Sequence, residues 1–458
     1  MGVGRVLGVV ITSVTFPILV RRLGVEMYGL WSYVVAVCAF VDIIANPGLI
    51  THITQQVASR RYSAAELVPD FVALRILSSL VAITVLLIVA SFERRAEVRE
   101  LLRWYGASAL FVGVSGADFL LTSLEFFHAR SLLTLIQQAL YAAGILFLVR
   151  SPKDIVWLPI SILGSALLTN LAGWGVLWHN GFHPPLAIDP RRWKAILIPS
   201  FHYAASTMTS TVYHRTGHLV VRWFLGDYSL GLYAAAVRFV DVLRNFVTIA
   251  LSVLMPRMAV SAQSASSLRR LTQAAVSALV MVSFPLMLGT LATAQLTVPW
   301  LLGASYRDAV SPVRWMAGFL LTAPMATLFA GTVLYALGRH RAYVASSMVG
   351  AITAVVLSLG LVKILGLSGV CIAFVSAEFS VGATAYFLIP RELRDLWRNP
   401  IIAVAGFAGL LMVLAVVVAN SYRPSPLFVV VVGAVVYSIT LAALGRKMLM
   451  QQFGHAGS

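Results

Sequence analysis

Long apolar runs, separated by short polar or glycine-rich connections, occupy most of the chain. An α-helix that crosses a bilayer needs about 20 predominantly apolar residues, and most of these runs reach that length. The pattern therefore predicts fourteen membrane helices, at residues 3–20, 28–50, 71–92, 104–124, 131–150, 155–178, 200–223, 229–256, 272–294, 311–336, 343–365, 369–389, 401–419 and 427–444.

Composition agrees with an all-α polytopic membrane protein and excludes several classes of enzyme. Of the 458 residues, 59% are hydrophobic and 11% are charged, and the mean hydropathy is +0.88. The longest polar stretch, from His179 to Ser200, is too short for a soluble ATPase or glycosyltransferase domain. The sequence contains no phosphate-binding loop, no G-x-S-x-G and no H-E-x-x-H. We therefore predict no catalytic residues, no cofactor and no enzymatic activity.

Basic residues exceed acidic ones by 34 to 17, which gives a formal net charge of +17. In a membrane protein, basic residues in short loops set helix orientation and contact anionic lipids, so the excess does not require a nucleic-acid partner. In the connections between the predicted helices, more basic residues lie on the side of the membrane that also holds the two termini than on the opposite side. The expected location is a bacterial inner (plasma) membrane, with multiple crossings and both termini in the cytoplasm.

A short motif occurs twice, 202 residues apart, and divides the chain into two similar halves. Leu23-Gly24 and Gly29-Leu30-Trp31 match Leu225-Gly226 and Gly231-Leu232-Tyr233. Six helices separate the copies, so both halves have the same orientation and an axis along the membrane normal is expected to relate them. The predicted parts are residues 1–199, a six-helix bundle with a cytoplasmic linker; 200–390, a second bundle; and 391–458, two additional helices and a cytoplasmic tail.

Several charged residues lie inside apolar runs, where a charge costs roughly 2.5–3.5 kcal/mol on the lenient insertion scale and usually faces a cavity or a partner. In the seventh helix, Arg215, His218 and Arg222 are three and four residues apart and share one face, with His214 beside them. Such a basic face suits an anion, because guanidinium groups bind phosphate oxygens in a bidentate fork. The other charges in apolar runs are Asp42, Asp118, Arg238, Asp241, Arg244, Arg314 and Glu378.

The carboxylates among these residues have two interpretations. Asp42, Asp118 and Glu378 are either counter-ions of the arginines or a site for a coupling proton or sodium ion. Arg238, Asp241 and Arg244 run at intervals of three, so Asp241 could hold Arg244 while Arg238 reaches a cavity. His214 and His218 have no third ligand nearby in sequence, so no metal site is predicted.

The opening Gly4-Arg5-Val6-Leu7-Gly8, the Tyr28-Gly29-Leu30-Trp31 segment, and Asp42 before Pro47-Gly48-Leu49 resemble the start of Wzx-type polysaccharide flippases. These proteins belong to the multidrug/oligosaccharidyl-lipid/polysaccharide exporter superfamily. The second half continues the resemblance in Gly231 to Arg238 and in Leu254-Met255-Pro256. The resemblance implies two six-helix bundles, like those of multidrug exporters and lipid II flippases. It also implies that Arg5 and Arg238 occupy positions that are basic in related proteins, and that the position of Arg5 lies near the substrate diphosphate.

The function implied is transport of an undecaprenyl-diphosphate-linked oligosaccharide from the cytoplasmic to the outer leaflet by alternating access, for cell-surface polysaccharide such as O-antigen. The expected partners are this anionic lipid-linked oligosaccharide, membrane lipids, and a glycan polymerase and assembly proteins. Asp42 and Asp241 would orient or neutralise the cavity arginines. Two alternatives stay open: a cation-coupled multidrug exporter on the same fold, disfavoured by the basic cavity, and a membrane-embedded glycan polymerase or ligase, disfavoured by the short outer loops.

Overall fold

The computed structural model describes residues 2–58, 63–114, 116–183, 187–261, 265–394, 400–422 and 425–454. These residues form α-helices, short 3-10 turns and one π-helical stretch, with no β-strand among them. The chain divides into two compact units, Met1–Thr211 and Val212–Ser458, called unit 1 and unit 2 below.

Unit 1 consists of seven helices and the beginning of an eighth. Its core packs α2, α3, α5 and α7 against the start of α8, around large apolar side chains such as Phe71 and Leu120. The helices are α1 (Gly2–Ala45), α2 (Leu49–Ala58), α3 (Ala64–Phe92), α4 (Ala96–Val114), α5 (Ala117–Ser123), α6 (Phe127–Leu148), α7 (Trp157–His179) and the first part of α8 (Pro190–Ser261).

Unit 2 contains the rest of α8 and six further helices. Its main core joins α9, α11, the π-helical stretch Thr327–Leu334 and α12. The last two helices pack on α9, where the Tyr437 hydroxyl donates a hydrogen bond to the Met281 carbonyl at 2.7 Å. The helices are α9 (Ala265–Leu302), α10 (Val310–Met316), α11 (Phe319–Ala326), α12 (His340–Leu388), α13 (Pro400–Ser421) and α14 (Pro426–Gly454).

Eight described segments have the length and apolar character of membrane spans, and a bent pair, Ala304–Met316 with Phe319–Leu334, makes up to nine. Two of the eight, Leu7–Ala45 with 39 residues and His340–Leu388 with 49, would extend about 58 and 73 Å at 1.5 Å per residue. His340–Leu388 is therefore long enough for two crossings of a hydrocarbon core of about 30 Å, and Leu7–Ala45 comes close to that length. The prediction of an all-α polytopic membrane protein is confirmed.

The repeated motif has the same backbone conformation in both copies. Gly24 interrupts α1 with φ 73° and ψ 173°, and Gly226 interrupts α8 with φ 82° and ψ 179°. This combination of angles is open almost only to glycine, because a Cβ would clash with the backbone. A third break, at Gly366 in α12, has φ 57°. Each of α1, α8 and α12 is therefore two helices that meet at a kinked glycine, which agrees with the helix pairs predicted around residues 24, 226 and 366.

Candidate substrate site

The second half of α8 carries three charged side chains at intervals of three, and the structure separates them into a pair and a single cation. Arg244 Nε lies 3.2 Å from Asp241 Oδ1, a charge contact whose geometry falls short of a hydrogen bond. Arg238 is partly exposed and has no ion pair or hydrogen bond among the described residues. Asp241 therefore neutralises Arg244, while the guanidinium of Arg238 has no neutralising acid among the described residues.

A buried carboxylate from α12 joins this pair. Glu378 is 3% exposed, and Arg244 and Asp241 both act on it electrostatically. His214 Nε2 approaches Glu378 Oε1 at 3.6 Å, and the Arg244 guanidinium lies 5.6 Å from the centre of the Phe319 ring. Three residues of α8 (His214, Asp241 and Arg244) and Glu378 of α12 thus form a network inside unit 2, called the Glu378 network below.

His218 does not lie on an open face, contrary to the expectation from spacing. It is 4% exposed and packs edge-on against the Tyr233 ring, with 5.2 Å between ring centres. The two halves of α8 pack against each other here, because a Cβ at Gly217 would lie 2.1 Å from the Tyr233 hydroxyl oxygen. His214, one turn earlier and 36% exposed in its side chain, is the histidine that contacts an acid.

Arg222 does not extend the basic face either, since it has an acid of its own. Its Nε donates to Asp227 Oδ1 at 2.8 Å, and both side chains are only 11% exposed. This ion pair spans the Gly226 break and holds the two halves of α8 at a fixed angle. Arg215 is partly buried and lies close to His218 and Tyr233. The cationic face predicted for α8 is therefore reduced to Arg215 and Arg238.

In unit 1, Asp42 interacts with residues that the sequence analysis did not single out. Its carboxylate accepts a hydrogen bond from Tyr105 and lies close to Arg75, a residue of α3 that is 4% exposed. Arg75 Nη1 also donates to the Ala45 carbonyl, at 2.7 Å, at the end of α1. Within unit 1, Asp42 is thus a counter-ion of Arg75. The signal was present in the sequence, since Arg75 stands alone in a long apolar run.

Asp118 lies at the beginning of the short helix α5 and not in the middle of a long span. Arg130 holds it in a bidentate ion pair, with Nε to Oδ1 at 2.9 Å and Nη2 to Oδ2 at 3.3 Å. The Asp118 side chain is 68% exposed. It is a counter-ion, but of an arginine in the first turn of α6 and not of one within a predicted span. The side chain of Arg5 lies outside the described part of the structure.

Two further features bear on the chemistry of the site. Within the described ranges, no group of three His, Cys, Asp or Glu side chains is arranged to hold a metal ion. Cys38 and Cys371 are both buried and free.

Comparison with known proteins agrees with this fold. The solved structure of the lipid II flippase MurJ in an inward closed conformation superposes with a TM-score of 0.76 and 14% identity, over 97% of this chain and 98% of that chain. A multidrug resistance MATE family transporter of the MOP superfamily superposes with TM-scores of 0.65 inward-facing and 0.59 outward-facing, at 15% and 14% identity. These pairs cover 91% of this chain in both cases, and 98% and 94% of the transporter.

No curated protein matches the sequence. The family described as polysaccharide biosynthesis protein matches residues 2–262, which include all of unit 1, the Gly226 break, and both Arg215 and Arg238. That match covers more than half of the chain, while the structural neighbours share the fold over nearly all of it. The chain belongs to the polysaccharide biosynthesis protein family, and its fold is similar to those of the MurJ and MATE structures.

Proposed function

We propose that this protein is a flippase that moves an undecaprenyl-diphosphate-linked oligosaccharide from the cytoplasmic to the outer leaflet by alternating access. Within unit 2, the diphosphate would bind to Arg238, with Arg215 as a further cationic contact; a role for Arg5 rests on the family resemblance alone. The observation that carries the proposal is the guanidinium of Arg238, which has no acid among the described residues although neighbouring Arg244 and Arg222 each have one.

The physical argument rests on the cost of burying charge. An arginine within a membrane span is stable when an acid, a backbone carbonyl or water meets its guanidinium, and an unneutralised one marks a substrate or ion pathway. A diphosphate offers several anionic oxygens in the geometry of the guanidinium fork. Arg222 is left out of the proposed site, because a substrate would have to displace Asp227 from it.

The Glu378 network supports a second part of the proposal, namely that a proton or sodium ion drives the cycle. Protonation of Glu378 would release His214 and leave Arg244 with Asp241 alone, so the charge balance between α8 and α12 would change. A carboxylate in such surroundings is also what a cation-coupled multidrug exporter requires, and MATE transporters share this fold. That activity stays the second candidate, and the two differ in the charge of the molecule transported.

The test replaces Arg238 by glutamine and measures transport. Cells with Arg238→Gln should lose surface glycan and accumulate the lipid-linked precursor, with the amount of protein in the membrane unchanged. In proteoliposomes, loss of charge-assisted hydrogen bonds worth about 1.5–3 kcal/mol should slow translocation of a polyprenyl-diphosphate sugar roughly 10- to 150-fold. Arg238→Lys keeps the charge but loses the bidentate fork, so its rate of translocation should lie between those of the unaltered protein and Arg238→Gln.

The matched control is Arg270→Gln, which removes an exposed arginine from the first turns of α9 in the same unit. It should leave translocation unchanged. Normal glycan display in Arg238→Gln would remove the anion-site proposal. Efflux of an organic cation by the purified protein, with no movement of the diphosphate lipid, would favour the multidrug exporter instead.

A further inference from the structure

A polar recess lies in unit 2, at the helix ends that the charges of the predicted connections place on the outer side of the membrane. It is a cavity of about 630 Å³, within the range of small-molecule clefts. Its polar lining consists of Gln295, Arg307, Asp308, Ser311, Arg314 and Trp315. None of these residues belongs to the site proposed for the diphosphate.

Three elements converge to form this recess. The last turns of α9 supply Gln295, and the 3-10 segment Ala304–Ala309 supplies Arg307 and Asp308. On α10, Ser311 and Arg314 are three residues apart and therefore point to the same side. The recess is thus built by helix ends and a well-defined turn, which hold its side chains in fixed relative positions.

The charges of the recess are only partly matched. Asp308 Oδ2 accepts a hydrogen bond from the Tyr228 hydroxyl at 3.1 Å, which orients the carboxylate. Arg307 and Arg314 are both exposed, and neither has an ion pair in the part of the chain that the structure describes. Two guanidinium groups and one carboxylate leave a net charge of +1, so an anionic ligand is favoured.

The remaining side chains narrow down the chemistry of that ligand. Trp315 is 51% exposed and offers an indole surface, on which the apolar C–H face of a sugar ring can rest. The recess also mixes pure donors (arginine), a pure acceptor (Asp308) and groups that do both (Gln295, Ser311), which matches hydroxyl groups. A phosphodiester would only accept hydrogen bonds and could not donate one to Asp308, whereas an acidic sugar carries hydroxyl groups that can.

We propose that this recess binds an acidic saccharide, with Trp315 under a sugar ring and Arg307 and Arg314 on a sugar carboxylate. The inference rests on the proposed function and deepens it, because it assigns the transported glycan a negative charge of its own and an outer binding site. Asp308, oriented by Tyr228, would accept a hydrogen bond from a sugar hydroxyl, which a phosphate headgroup without hydroxyl groups cannot donate.

The test measures binding of two probes to the full chain in phosphatidylcholine nanodiscs. The probes are trigalacturonate, which is acidic, and maltotriose, which is neutral. We expect trigalacturonate to bind more tightly. Arg314→Gln should weaken the binding of trigalacturonate roughly 10- to 150-fold, which is the range for a hydrogen bond to a charged group, and should leave the binding of maltotriose unchanged. Trp315→Ala should weaken the binding of both probes by roughly 2- to 13-fold.

The matched control is Trp178→Ala, which removes a tryptophan of similar exposure, 58%, from unit 1. It should bind both probes as the unaltered protein does. Equal binding of trigalacturonate by the unaltered protein, Arg314→Gln and Trp315→Ala would overturn the proposal, as would no binding at all. Competition by phosphatidylglycerol in the nanodiscs, lost in Arg314→Gln, would overturn it in favour of a lipid headgroup site.

The same assay separates this inference from the proposed function. Arg238→Gln should bind trigalacturonate normally while it fails to translocate the lipid-linked sugar. If Arg238→Gln translocates normally and the recess still binds trigalacturonate, the diphosphate site is wrong and the saccharide site stands. If translocation depends on Arg238 but neither probe binds, only the saccharide site is lost.

Discussion

The glycine breaks in α1 and α8 give the sharpest quantitative prediction of this structure. At Gly226, φ is 82° and ψ is 179°, and a methyl group built on this residue meets no heavy atom within 4 Å. The cost of Gly226→Ala is therefore backbone strain alone, with no contribution from crowding. Conformations of this kind cost of order 1–3 kcal/mol for a residue other than glycine.

A helical glycine in the same unit supplies a control of opposite sign. Gly360 lies in α12 without a positive φ, and a methyl group there also meets nothing within 4 Å. Alanine at such a position should stabilise the protein by about 0.5–1 kcal/mol, because glycine loses more backbone entropy in a helix. The two substitutions add the same atom to open space, yet their free energies of unfolding should differ by about 1.5–4 kcal/mol.

The assay is reversible unfolding of the purified protein in mixed micelles, by titration with sodium dodecyl sulfate. Gly226→Ala should unfold at a lower detergent fraction than the unaltered protein, and Gly360→Ala at a higher one. Gly24→Ala should behave like Gly226→Ala, since Gly24 has nearly the same angles. If Gly226→Ala left the unfolding transition unchanged, or shifted it in the same direction as Gly360→Ala, the strain argument would be refuted. If Gly24→Ala did not behave like Gly226→Ala, the structural equivalence of the two breaks would be refuted.

Two further predictions concern packing and pH. Gly217→Ala should destabilise unit 2 by about 1–3 kcal/mol or more, because its methyl group would lie 2.1 Å from the buried Tyr233 oxygen, and Tyr233→Phe should partly restore stability in the same unfolding assay. Burial lowers the pKa of His52, which is 7% exposed on α2, below its ordinary value, so the unfolded chain binds more protons in mildly acidic solution. Stability should therefore fall as the pH drops through the unfolded pKa, and His52→Gln should reduce this slope; an unchanged slope would contradict the assignment.

The hydrophobic pattern was sufficient to predict the helical content and most helix positions, because the bilayer requires about 20 apolar residues for each crossing. The pattern does not distinguish a loop of several residues from a kink at a single glycine, and it joined α4 to α5 and α10 to α11. It also missed α2, whose ten residues are too short to span. Arg75 and His214 were visible as polar residues in apolar surroundings, but their contacts with Asp42 and Glu378 link segments far apart in the sequence.

The sequence by itself determined that this chain is a helical membrane protein, that a short motif occurs in it twice, and that basic residues outnumber acidic ones within the predicted spans. Spacing along one helix also indicated the pairing of Asp241 with Arg244. Only the tertiary structure decided which other polar groups meet: Arg222 pairs with Asp227 across a helix break, and His214 contacts Glu378, more than 160 residues away in the sequence. The physical reason is that neutralisation depends on separations of a few ångströms between helices, which periodicity along one helix does not specify.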